Sequence, residues 1–289
     1  MPVSLPVLIL FVSSIGWGLT WLPLDYLGKS GVQGPLLILV AFGGAVVFLL
    51  PVLLIQYKEW RPQWQLLGLI VIFGGFANLA FQTSLYHGEV IRVMILFYLL
   101  PVWGVLGGRI VLGERIDALR VTAVIAALGG AFLILDGPDL IRQLPGWVDL
   151  LALGSGFAFA MNNLVFRFAQ DIPVGSKVSA MFIGVVIFIS VYLLFFEPDS
   201  SGLTVANVGL TLLYGIAGIT LITFGTQWGV TQLEAGRASI IMVMELVAAI
   251  VSAVWLLNQS LGAMELTGIA LVMSAALIEG MRGSQVAEA

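Results

Sequence analysis

The chain has 289 residues, 60% hydrophobic and only 10% charged, with a mean hydropathy of +1.08 and a net charge of −4. A soluble domain carries about 25% charged residues because its surface must face water, so the outer solvent of this chain is lipid. With no cysteine, one histidine and a pI of about 4.9, the composition argues against disulfides, cysteine or histidine metal sites, a Ser-His-Asp triad and nucleic acid as a partner.

At about 20 apolar residues per spanning helix, the sequence has room for ten spans with short loops and no separate soluble domain. The N-terminal run lacks the basic start and cleavage site of a signal peptide and is read as the beginning of the first span. Apolar runs broken by turn residues then predict the spans in order. The first covers Leu5 to Leu24, ending at Pro23 and Asp25, and the second Pro35 to Tyr57, stopped by Lys58, Glu59, Arg61 and Pro62. The third covers Trp64 to Tyr86, and the fourth Val90 to Leu112, followed by the charged loop Glu114, Arg115 and Asp117. The fifth runs from Ala118 to Leu135 and stops at Asp136, Gly137 and Pro138; the sixth runs from Trp147 to Phe168. The seventh covers Ser176 to Phe196, ending at Glu197, Pro198 and Asp199. The eighth spans Val205 to Thr231, the ninth Gly236 to Leu257 and the tenth Gly262 to Met281.

Basic residues orient this array. With the N-terminus in the cytoplasm, Lys58, Arg61, Arg109, Arg115, Arg120, Arg167, Lys177, Arg237 and Arg282 fall inside, and only Lys29, Arg92 and Arg142 outside. Both termini are therefore expected in the cytoplasm of a cell whose plasma membrane, a bacterial inner membrane, holds the protein.

The two halves resemble each other at a constant offset of 145 residues. Glu89 and Arg92 recur as Glu234 and Arg237, Gly113 and Glu114 fall on Asn258 and Gln259, and Ala118 and Thr122 fall on Ala263 and Thr267. Trp17 falls on Asn162 and Trp21 on Phe166. The predicted fold is an all-α polytopic membrane protein, with residues 1–144 and 145–289 as two five-helix repeats. Five is odd, so the halves insert with opposite orientation. Inverted repeats are a recurring transporter architecture, because exchanging the two halves' conformations exchanges the side that is open.

These residues resemble the drug/metabolite transporter superfamily in its ten-span form built from two EamA repeats. The resemblance rests on Gly16, Trp17, Gly18, Leu19, Thr20 and Trp21 in the first span, and on Pro101, Val102 and Trp103 running into Leu112, Gly113, Glu114, Arg115 and Ile116. Gly129 and Gly130 in the fifth span add to it, as does the run Ala235 to Ser239 leading to Met244, Glu245 and Leu246. The family implies transport of small organic solutes, commonly outward, through a central cavity lined by spans one, three, four, six, eight and nine. The stretch Phe11 to Gly16 lacks the first-helix acid of small multidrug exporters, and Arg237 stands alone where phosphate-handling members cluster Lys and Arg. An amino acid, aromatic or apolar, is the expected substrate, with no cofactor, and a monomer is favoured.

Polar groups inside a bilayer are costly and often functional. Glu245, mid-span, is a candidate to bind an ammonium group or take up a coupling proton, the plainer reading being a carboxyl that joins helices. Asn78, Gln82, Asn163 and Gln227 offer amides to a substrate or to neighbouring helices, and Asn162 lies beside Asn163. Trp17, Trp21, Tyr98, Trp103 and Trp228 are candidate aromatic walls, or packing residues. His87 is a candidate gate or a wet loop residue, and Pro101 should kink the fourth span, free a carbonyl toward the cavity and mark a moving element. The competing classes are proton-coupled drug efflux and an intramembrane lipid enzyme, for which no nucleophile or acid–base pair stands out.

Overall fold

The computed structural model describes residues 4–31, 34–135, 145–196, 203–257 and 261–282. The expected turns at 136–138 and 197–199, Arg142, and the repeat partners Asn258 and Gln259 lie outside them. Among the described residues the chain is helical, with nine helices long and apolar enough to cross a membrane and a shorter apolar helix, Ala118–Ile134. In hydrocarbon every backbone N–H and C=O must be satisfied within its own segment, so such runs have no alternative to the helix. Large apolar side chains cover the outside: Ile55, Ile110, Leu221 and Val205 are all exposed, as expected where lipid is the solvent.

The first five spans are Leu5–Lys29, Gly34–Ile55, Tyr57–His87, Val90–Leu112 and Ala118–Ile134; the second five are Trp147–Phe168, Val174–Leu193, Val205–Gln232, Ala235–Leu256 and Ala263–Met281. They are numbered 1 to 10 below. Their ends carry ordinary stop and start signals. Gly113 closes span 4 in the left-handed conformation (φ 70°). Asp117 caps span 5 by accepting from the Arg120 N–H at 2.8 Å. Thr204 caps span 8 through the Asn207 N–H.

Packing runs across the repeats and is two-fold in pattern. Span 3 packs on spans 6 and 7, and span 8 on spans 1 and 2; span 4 packs on span 6, and span 9 on span 1. Spans 2 and 7, 4 and 9, and 5 and 10 pair with their own counterparts. Small residues allow these approaches. The stripe Ala123, Ala127 and Ala131 is buried. Beside it a Cβ on Gly130 would lie 2.6 Å from the Gly268 carbonyl, and one on Gly268 as close to that of Gly130. Gly104 meets Ser239, and Gly225 and Gly229 meet Ser13 and Leu10, so these glycines bring span 4 to span 9 and span 8 to span 1.

Spans 4 and 9 are each broken mid-membrane, and at equivalent places. Span 4 consists of Val90–Phe97 and Leu100–Leu112, and span 9 of Ala235–Met242 and Met244–Leu257. The breaks, at Tyr98 and Val243, are separated by the repeat offset of 145. Span 1 is also broken, into Leu5–Gly18 and Trp21–Lys29, and runs past the predicted stop at Pro23. Pro23 lies in the first turn of that second piece, where its missing N–H would have had no helical partner. Span 8 contains a π-helical segment, Tyr214–Ile219. There a Cβ on Gly215 would overlap the Ala41 carbonyl of span 2, at 2.0 Å.

Candidate functional site

Span 6 is unbroken, and its small residues Ser155, Gly156, Ala158 and Ala160 are all buried among neighbours. That close packing carries the adjacent amides Asn162 and Asn163 into the protein interior, both less than a tenth exposed. Asn163 Oδ1 accepts from Gln227 Nε2 of span 8 at 3.2 Å and from Asn162 Nδ2 at 3.4 Å. Asn162 Nδ2 also reaches Met181 Sδ of span 7 at 3.6 Å, Gln227 Nε2 the same sulfur at 4.0 Å, and Asn163 Nδ2 reaches Met242 Sδ of span 9 at 3.7 Å. Four spans thus meet in one buried polar cluster. Asn162 Oδ1, Gln227 Oε1 and the Thr223 hydroxyl have no hydrogen-bond partner in it. Buried polar groups are ordinarily paired, so each exception calls for a reason.

The two span breaks meet nearby. Glu245 stands in the first turn after the break in span 9, and its Oε1 accepts from the hydroxyl of Tyr98, at the break in span 4, at 2.8 Å. Tyr98 is buried. Pro101 opens the second piece of span 4. The carbonyl it leaves without a helical donor, that of Phe97, lies against span 6: a Cβ on Gly156 would be 2.6 Å from it.

The other predicted residues are spread more widely. Trp21 donates through Nε1 to Ser252 Oγ at 3.0 Å, tying span 1 to span 9. Trp103 packs edge-on to Phe157, centroids 5.6 Å apart, with its buried Nε1 lacking an acceptor. Trp17 is half-buried against the apolar core, and Trp228 is half-buried on span 8. Asn78 folds back onto the Gly74 carbonyl of its own helix, 3.0 Å away. Gln82 lines, with Thr83, Tyr86 and Tyr192, a separate cavity of about 210 Å³ between spans 2, 3 and 7. His87 is exposed at the end of span 3, its ring 5.5 Å from that of Trp147.

Sequence reading treated Glu114, Arg115 and Asp117 as an orienting loop and missed the ion network that two of them join. It lies at the end of the bundle where span 1 begins and span 10 ends. Arg120, 1% exposed, binds Glu234, lies 3.5 Å from Glu279 and 3.8 Å from Glu114, and donates to the Arg115 carbonyl at 3.3 Å. Arg282 joins Glu279 (3.1 Å) to Asp117 (2.6 Å). Glu114 accepts from the N–H groups of Ala235 and Gly236, at 2.7 and 3.3 Å, and so caps the start of span 9. Burial pushes the Glu114 carboxyl above its ordinary value, while those two N–H groups pull it back. Asp117, held by the Arg120 N–H and by Arg282, lies below its ordinary value. The only signal in the sequence was Glu279, an acid inside the apolar tenth span. Buried Lys177 seals the same end under the amides, donating to the Phe166 and Ala169 carbonyls and to Thr231. At the opposite end Arg92 forms a two-point pair with Asp149, at 2.5 and 2.8 Å.

The EamA-like transporter family matches the sequence twice, over residues 4–136 and 146–279. The chain belongs to the EamA-like transporter family. No significant match is found among curated proteins. A solved structure, described only as a crystal structure of a protein, shares the fold with a TM-score of 0.78 at 16% identity, covering 94% of this chain and 95% of its own. The two EamA-like matches fall one on each half of the two-fold packing, so the broken spans 4 and 9 are the same element of the repeat, used once in each direction. The resemblance read from the sequence therefore holds for the family and for the ten-helix fold.

Proposed function

We propose that this membrane transporter is an alternating-access carrier of a small organic solute, an amino acid or a related amphiphilic metabolite, with residues 1–144 and 145–289 as the exchanging repeats. The observation that carries the reading is the crossing of two equivalent broken spans beside a buried polar cluster. Discontinuous helices at a repeat interface are where transporters place their sites, because the break frees backbone groups and supplies a hinge. In this reading the ion network around Arg120 is the closed gate on the cytoplasmic side, and its parting accompanies opening to that side. The presence of Trp17, Trp103 and Trp228 on spans 1, 4 and 8 supports an aromatic or apolar side chain on the solute, and a bacterial inner membrane with both termini inside fits the basic-residue bias.

A second reading, proton-coupled efflux, is favoured by one observation: among the described residues, the side chain of Glu245 hydrogen-bonds only to the hydroxyl of Tyr98. A half-buried carboxyl answered by a neutral donor can exchange a proton as the partner leaves. Replacing Glu245 by Gln keeps the hydrogen bond from Tyr98 and removes the titration. For a coupled carrier, uptake driven by a pH gradient in proteoliposomes should then vanish while downhill exchange continues. Loss of both together would make Glu245 a binding or packing group, and loss of neither would end the coupling reading.

A further inference from the structure

We infer that the amide cluster of spans 6 and 8 receives a hydrogen-bond donor head, a primary ammonium or amino group, on the carried solute; this rests on the carrier reading above. The argument turns on which way the amides face. An Asn or Gln offers a carbonyl on one side and an NH₂ on the other, and a thioether sulfur can only accept. Three N–H groups point at sulfur: Asn162 and Gln227 at Met181, and Asn163 at Met242. Reversing the amides together would satisfy the bonds between them equally well but would set carbonyl oxygens against both sulfurs. The two methionines therefore fix the direction.

With that direction fixed, the NH₂ groups of Asn162 and Gln227 are engaged by Asn163 Oδ1 and Met181, and what remains is acceptors. Asn162 Oδ1 and Gln227 Oε1 have no donor, nor does the Thr223 hydroxyl any partner, and all three residues are at most 1% exposed. A carboxylate has no N–H to offer the two amide oxygens, whereas an ammonium group carries the donors they lack, and the Thr223 hydroxyl can answer either. The charges around the cluster agree. Glu245 stands three residues beyond Met242, which touches Asn163. Lys177 has its donors committed to Phe166, Ala169 and Thr231, and Arg167 donates to the Thr231 carbonyl.

The test is binding to the purified full-length protein, followed by tryptophan fluorescence, of three probes matched in size: 2-phenylethylamine, phenylalanine and 3-phenylpropionate. Both amine-bearing probes should bind, with phenylpropionate at least about tenfold weaker, the value of one hydrogen bond to a charged group. Gln227→Leu should weaken the amines by about tenfold, and Gln227→Glu should tighten them. Met181→Leu combined with Met242→Leu, which conserve volume, should free the amides to reverse and narrow the preference for amine over carboxylate. Phenylpropionate binding as well as phenylethylamine, an unchanged preference in the double methionine variant and Gln227→Glu alike, or failure of both amines to bind would each overturn the assignment. Flux in proteoliposomes separates the two readings. Carriage of phenylpropionate alone removes the donor head and leaves the carrier, whereas amine binding with no flux of any probe removes the carrier and leaves the site.

Discussion

Replacing Arg120 by Met should lower the unfolding temperature of the detergent-purified protein by roughly 10 °C. Arg120 is almost fully buried and answers Glu234 and Glu279, with Glu114 3.8 Å away. Removing one partner of a buried ion pair costs about 3–5 kcal/mol because the other charge is left uncompensated. Here three carboxyl groups lose their cation at once, and Arg282 remains to answer only Glu279. A second replacement, Glu279→Gln in the Arg120→Met background, should restore part of the loss, since it removes one of the stranded charges. A single variant that melts with the parent protein would show that the network contributes nothing to holding the two halves together at that end.

The second large effect is expected at Gly18, where the first piece of span 1 meets the break in span 9. A Cβ on Gly18 would sit 2.2 Å from the Glu245 carbonyl oxygen, 2.7 Å from the Ala248 Cβ and 2.9 Å from the Ala249 nitrogen. Two of these atoms are backbone and cannot step aside as a side chain tip would, so spans 1 and 9 must separate. Gly18→Ala should therefore cut transport by about tenfold or more, given that inserted carbons in a tight core cost about 1–3 kcal/mol. Gly16→Ala is the matched control. Its added carbon would meet only the flexible side chain of Ile222, at 3.1 Å, and flux should change by less than about threefold. Equal losses in both variants would mean that the close approach at Gly18 has no special part in the cycle.

The fold was readable because lipid imposes it. Long apolar runs have no option but the helix, and the offset of 145 that aligned Glu89 and Arg92 with Glu234 and Arg237 also aligns the breaks at Tyr98 and Val243. The site was only partly readable. Asn163 and Gln227 were recognisable as buried amides by depth alone, and the structure brings them into one cluster. Gln82, singled out by the same reasoning, lines a different cavity, because depth along a helix does not reveal which way a side chain faces. Neither could spacing link Tyr98 to Glu245 or Arg120 to Glu114, Glu234 and Glu279. These pairs are assembled by helix crossings rather than by neighbours on one helix. The break in span 1 was hidden for a related reason, since Pro23 lies where a helix may begin as well as end.

The most direct test of the carrier account is counterflow. Proteoliposomes bearing the protein are loaded with unlabelled phenylalanine, diluted into labelled phenylalanine, and followed for transient accumulation of label against its gradient, with tryptophan and leucine tested in the same way. A carrier whose two repeats exchange conformations around one site should produce an overshoot that depends on internal substrate, saturates, and is lost in Gly18→Ala. Label that merely equilibrates, at a rate indifferent to what the liposomes contain, would contradict alternating access at this interface.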